Sequence, residues 1–229
     1  MLRRGKAGRR LGLVVALAAI GVMVYAGIAL AADTIVGTPS DTYDRPAGTP
    51  YNTGQGELVP FQNDGGSHNV TARQNGPDGK ALFRSATTSG GTSQVNGTQF
   101  LSSGDYPFFC TVHPTTMTGV LRVTGAGTPQ PRPQATLAVK GKRLAKAIKK
   151  GISVSITANS RIEDVTLSAK LGKATIGRLT TSLAASAQIK TVKLSKSGKR
   201  KLRGKSKATV KVTGEIPFGT PASAKKKLR

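Results

Sequence analysis

An all-β chain of two successive β-sandwiches is what this sequence predicts, on three observations. Beyond residue 32, apolar and polar residues alternate in short runs, and a period of two is that of a half-buried strand. Clusters of Gly, Asn and Pro break these runs, the punctuation expected of sandwiches and barrels. The charge also changes abruptly. Residues 33–125 carry five Lys/Arg against seven Asp/Glu, net −2, whereas residues 135–229 carry 24 against three, net +21. A step of that size marks a boundary between two units with different surfaces.

The first segment, 1–32, belongs to neither unit. Arg3, Arg4, Lys6, Arg9 and Arg10 precede an uncharged run from Leu11 to Ala31, and Ala29-Leu30-Ala31 offers a small-residue cleavage site. A basic start, an apolar stretch and small residues at its end read as an export signal. The run is also long enough to span a bilayer if it is retained as an anchor. In 33–124, Val70-Thr71-Ala72, Gln99-Phe100-Leu101, Tyr106 to Cys110 and Val120-Leu121-Arg122-Val123 are strand-like. Turns are expected at Asn75-Gly76-Pro77-Asp78-Gly79, Ser89-Gly90-Gly91 and Asn96-Gly97. Residues 125–134 read as a linker, loose at its glycines and stiff where Pro129, Pro131 and Pro133 follow.

In 135–229, Ile152, Val154 and Ile156 interleave with Ser153, Ser155 and Thr157. Val165, Leu167, Ala169 and Leu171, then Val192 and Leu194, then Val210 and Val212 continue the alternation, as strands packed face to face would. Arg143 to Lys150 and Ser195 to Arg203 are too short for lone helices in water. They are expected as helical turns between strands, the first stopped by Gly151.

The chemistry concentrates in a handful of side chains. The chain has one cysteine and two histidines, and all three fall into one pattern. Cys110 and His113 lie in Tyr-Pro-Phe-Phe-Cys-Thr-Val-His-Pro-Thr-Thr-Met, which ends at Met117, and His68 stands upstream in Gly-Gly-Ser-His-Asn-Val. A thiolate, two imidazoles and a nearby thioether form the ligand set of a blue-copper electron-transfer centre. Taken singly, each has a plainer reading: Cys110 as a buried hydrophobe, His68 as a loop residue, His113 as a turn residue, Met117 as a core filler. Their coincidence favours a metal. A lone cysteine in an exported chain has no internal disulfide partner, which agrees.

At these residues the chain resembles the cupredoxin family, and within it the plastocyanins, pseudoazurins and amicyanins. His68-Asn69-Val70 matches the segment carrying the first ligand, Tyr106, Phe108, Phe109 and Cys110 match the strand that ends at the ligand cysteine, and Cys-x2-His-Pro followed by Met-x-Gly is amicyanin-like. The resemblance spans residues 33–124. It implies a Greek-key β-sandwich holding one copper through His68, Cys110, His113 and Met117, with Asn69 bonded across to the Cys loop near Thr111. The gap from His113 to Met117 departs from the family, lying between the shorter amicyanin and the longer plastocyanin spacing. Residues 135–229 resemble the lysine-rich immunoglobulin-like sandwiches of secreted bacterial proteins, on pattern alone and without the Cys or Trp of antibody domains.

The functional expectation is an exported, non-enzymatic one-electron carrier working between a redox donor and acceptor at the cell surface. A copper storage, sensing or delivery module would need the same ligands. No paired carboxylates, serine triad or phosphate loop suggests an enzyme. The basic unit points to anionic membrane or cell-wall surfaces, or to a merely solvated surface. Export, and Phe218 as its sole aromatic residue, weigh against nucleic acid.

Overall fold

Short alternating runs become strands because each can bury one face, and β-strands dominate the region described by the structure, a computed structural model covering residues 31–229, with two short helices between them. The leader expectation falls on residues outside this region, apart from Ala31 and Ala32. Among the described residues no helix is long and apolar enough to cross a membrane.

The first unit contains β1 (Ile35–Gly37), β2 (Tyr51–Gln55), β3 (Val59–Asn63), β4 (Thr71–Ala72), β5 (Gly91–Val95), β6 (Gly104–Phe109) and β7 (Thr118–Gly127). They form a three-stranded sheet, β1-β3-β5, and a four-stranded sheet, β2-β7-β6-β4. Pairing is parallel for β1 with β3 and for β2 with β7, and antiparallel elsewhere. In β3, Val59, Phe61 and Asn63 point inward and Pro60 and Gln62 do not, the period-two pattern of a half-buried strand. Ile35, Phe61, Val95, Phe108, Leu121 and Val123 meet in one buried cluster supplied by both sheets. Phe108 lies across from Gly119 in the β6–β7 register, and a Cβ at Gly119 would come within 2.5 Å of its ring. Gly119 therefore makes room for the central aromatic.

One strand expectation fails. Thr98–Phe100 is a single 3-10 turn, not part of a strand. Gly97 enters it at φ 106, and the Thr98 hydroxyl accepts from Val59 N–H and lies within bonding reach of the Glu57 and Val95 carbonyls. These local bonds satisfy groups that a strand would have sent to a neighbour.

The second unit contains β8 (Ala135–Val139), α1 (Leu144–Lys150), β9 (Ile152–Ala158), β10 (Ile162–Leu171), β11 (Ala174–Leu183), β12 (Ala187–Val192), α2 (Lys196–Leu202), β13 (Ala208–Glu215) and β14 (Ala222–Leu228). Its sheets run β12-β9-β8 and β11-β10-β13-β14, and its own core cluster includes Val154, Ile156, Leu167, Ile176, Val210 and Val212. Both expected helical turns form. Gly151, at φ 96, closes α1 by donating to Ala147 O, and Ser195 caps α2 by accepting from Gly198 N–H at 3.0 Å.

Residues 125–134 are held along their length. β7 runs through Gly125 to Gly127, and Gly127, expected to be loose, pairs with Gln55 of β2. Gln130 N–H donates to Gln99 O at 2.8 Å, Gln134 N–H to Asn159 Oδ1 at 2.8 Å, and Asn159 Nδ2 to Arg132 O at 3.0 Å. Phe218 of the second unit reaches the first. Its ring lies under the Arg84 guanidinium at 4.1 Å and beside Phe100 at 6.2 Å. Its N–H donates to Asp78 Oδ2 at 3.0 Å, and Asp78 also pairs with Arg84 at 3.1 Å. Phe218 holds a left-handed φ of 60, strain kept where several contacts fix the backbone.

Candidate metal centre

β6 ends one residue before Cys110 and β7 begins one residue after Met117, so the loop carrying three of the expected ligands hangs between paired strands. Two backbone bonds close it: Cys110 N–H donates to Met117 O and Met117 N–H to His113 O, both at 3.0 Å. Turn geometry, not sequence spacing alone, therefore sets the relation between Cys110, His113 and Met117. His68 enters from the other side, exchanging two backbone bonds with Thr88 at 3.0 Å each. Its approach requires glycine: Gly66 has φ 80, and a Cβ there would lie 2.6 Å from His68 Nε2. Asn63 fixes this loop, donating to Gly66 O at 3.0 Å and Thr88 O at 2.7 Å while accepting from Gly65 N–H at 3.0 Å.

The structure brings His68, Cys110 and His113 together, with one candidate ligand atom from each within 4.8 Å of the others. His113 Nδ1 lies 4.0 Å from Cys110 Sγ, and the two imidazoles meet edge-on, 5.1 Å between centroids and inclined at 61°. Met117 is buried beside them. A Cβ at Gly37 would meet the Met117 methyl at 3.1 Å and His68 Cδ2 at 3.2 Å, so thioether and imidazole pack over the same glycine.

The hydrogen bonds of His68 orient it. Nε2 lies 3.0 Å from the Thr38 carbonyl, which accepts only, so the ring proton sits on Nε2. Nδ1 is then a lone pair, buried and without a partner, on a fully buried ring. A buried unsatisfied nitrogen costs roughly 1–3 kcal/mol. An imidazole, an adjacent cysteine and a second imidazole are soft to borderline donors of the kind copper takes, so the residues present fit that ion.

Asn69 ties the two ligand loops together, in the manner the resemblance implied. Its Oδ1 accepts from Thr111 N–H at 3.0 Å and its Nδ2 donates to Thr111 Oγ1 at 2.7 Å. The same side chain donates to Thr87 Oγ1 at 2.8 Å and accepts from Thr71 Oγ1 at 3.1 Å, while its carbonyl accepts from the Tyr43 hydroxyl at 2.7 Å. Burial pushes the Tyr43 phenol well above its ordinary range, with Cys110 adding to the effect.

Sequence reasoning missed Asp41. Its Oδ1 lies 3.4 Å from His113 Nε2 and 3.8 Å from His68 Nε2, on the side of each ring facing away from the cluster. Asp41 takes φ 56 in the turn closed by Thr38 and Thr42. Within Thr-Pro-Ser-Asp-Thr it looks like any loop acid, and only the fold reveals its neighbours. Water reaches the cluster mainly at His113, whose side chain is 24% exposed beside a 53% exposed Asp41.

No protein-family model matches the chain, and no curated protein matches it.

Proposed function

We propose that residues 33–124 form a cupredoxin-type Greek-key sandwich in which His68, Cys110 and His113 would hold one copper ion, with the Met117 thioether beside them as a weaker fourth donor, and that the chain is an exported one-electron carrier. The observation that carries this reading is the orphaned lone pair of His68 Nδ1, buried beside Cys110 and His113. Two facing sheets with parallel pairs at β1–β3 and β2–β7 support the Greek-key assignment, since such pairs need crossover connections.

Bound copper supplies a one-electron Cu(II)/Cu(I) couple. The protein's part is to hold the donors still and dry. His68, Cys110 and Met117 are fully buried, and the bonds from Asn69 and Asn63 fix the loops that carry His68 and Cys110. Rigid ligand loops limit the rearrangement that accompanies a change of oxidation state. The edge of His113, flanked by exposed Val112 and Pro114, is the contact offered to a redox partner. A carrier fits better than an enzyme because both histidines of the chain are ligands. The same burial favours a carrier over a storage or delivery module, which must let go of its ion. Electron self-exchange between the oxidised and reduced protein, read from NMR line broadening, tests this. Fast exchange supports the carrier, and slow exchange with ready transfer of Cu(I) to a chelating acceptor overturns it.

The proposal extends to residues 135–229 as an immunoglobulin-like sandwich that brings the copper unit to an anionic membrane or wall surface. The charge step of −2 against +21 supports this part. Attraction between so many cations and an anionic surface weakens as the Debye length falls from ~30 Å at 0.01 M salt to ~3 Å at 1 M. Co-sedimentation with anionic vesicles across a salt series is the check, and binding indifferent to salt would contradict it.

A further inference from the structure

The cations of the second unit are not spread evenly. A cleft of about 710 Å³ opens between the loop Lys140–Arg143, α1, the start of β9 and the sheet-edge strand β12. Lys140, Lys142, Arg143, Lys146 and Lys150 line it, and no acidic residue does. None of the five is ion-paired among the described residues. The unit's three carboxylates are engaged or placed elsewhere: Glu163 bonds Arg161 and Ser182, while Asp164 and Glu215 line a separate hollow with Asp78. The walls of the cationic cleft are apolar, with Ala147, Ile152 and Leu228 packed into the core and Ile189 67% exposed at the edge.

We propose that this cleft binds an anionic phospholipid, its lysines taking the phosphate and its apolar wall taking the first methylenes of the acyl chains. The inference rests on the reading of this unit as a surface-binding module and names the ligand of that surface. Charge complementarity selects an anion. The apolar wall selects among anions, because a free phosphate or a wall polyphosphate would leave Ile189 and its neighbours in water. A cleft of this size lies within the range of small-ligand sites, enough for a headgroup and several methylenes.

The test uses the chain lacking residues 1–32, whose apolar run would itself enter a bilayer, and vesicles of phosphatidylglycerol mixed with phosphatidylcholine, read by co-sedimentation. A lysine close to an anionic surface contributes about 1 kcal/mol, roughly fivefold in affinity, so Lys146→Ala with Lys150→Ala should weaken binding roughly thirtyfold. Ile189→Ser changes no charge and is expected to cost roughly tenfold through lost apolar contact. Lys205→Ala with Lys207→Ala removes two exposed charges outside the cleft and should cost no more than a few-fold. Soluble short-chain phosphatidylglycerol should displace the vesicles at concentrations where inorganic phosphate does not. If the two lysine pairs weaken binding equally and Ile189→Ser does nothing, diffuse charge carries the binding. The cleft assignment is then overturned while the surface-binding reading stands. Equal competition by inorganic phosphate overturns the lipid in favour of a phosphate site, and no binding by the unaltered chain overturns both readings.

Discussion

Replacing Asn69 with Ala removes the side chain that joins the His68 loop to the Cys110 loop. Four side-chain hydrogen bonds go with it: two to Thr111, one to Thr87 and one to Thr71. A bond of this kind contributes a net ~0.5–1.5 kcal/mol. Thr111 and Thr87 are exposed and Thr71 is half-buried, so water can take over part of each lost partnership, which places the four at the lower end. The expected destabilisation of the first unit is ~2–3 kcal/mol. The assay is denaturant unfolding of the metal-free chain lacking residues 1–32, followed by tyrosine fluorescence. The remaining tyrosines, Tyr43, Tyr51 and Tyr106, all lie in the first unit, and the chain has no tryptophan, so the signal reports that unit alone. Copper release from the variant should also be faster. A change below ~0.5 kcal/mol, with copper release unaltered, would refute the view that Asn69 locks the two loops.

Three further outcomes are expected. Gly66→Ala drives a methyl into His68 Nε2 at a left-handed φ, and should lower copper affinity roughly tenfold or more by titration while the far-UV CD spectrum holds; unchanged affinity would contradict the packing described. Asp41→Asn removes the carboxylate beside the His113 N–H, which favours the more highly charged Cu(II); the reduction potential should rise, and an unchanged potential by voltammetry counts against any influence of Asp41. Burial alone would raise the Asp78 carboxyl, but the Phe218 and Lys80 N–H groups and Arg84 outweigh it and hold it below the usual range. A depressed folded-state value means the contribution is fully present above the unfolded value of ~3.9 and is lost as pH falls through the folded one. NMR relaxation should therefore show the two units tumbling more independently only at strongly acid pH, and Asp78→Asn should show it at neutral pH as well.

The cluster of His68, Cys110 and His113 was legible because the chain has so few residues of their kind: one Cys and two His leave few ways to group them. The strands of the basic unit were legible where β-branched and apolar residues alternate without interruption, as from Ile152 to Ile156, and so was the α1 stop at Gly151. β1, β2 and β3 were not, because Ile-Val-Gly is too short to show a period and Asn, Gly, Gln and Pro dilute the pattern in the other two. Gln99-Phe100-Leu101 looks like a strand by residue type, yet bonds from the Thr98 hydroxyl and the turn at Gly97 decide its conformation. The order within residues 125–134 was hidden for a similar reason. Its partners, Gln99 and Asn159, are distant in sequence and give no local signal. Asp41 and Phe218 acquire their roles only from neighbours the fold delivers.

If Cys110, His68 and His113 bind copper as one site, the visible absorption of the Cu(II)-loaded chain will show it. One equivalent of Cu(II) should turn the protein intensely blue through thiolate-to-copper charge transfer, and Cys110→Ser should abolish the colour. A colourless complex, or a blue colour that survives Cys110→Ser, would contradict the account.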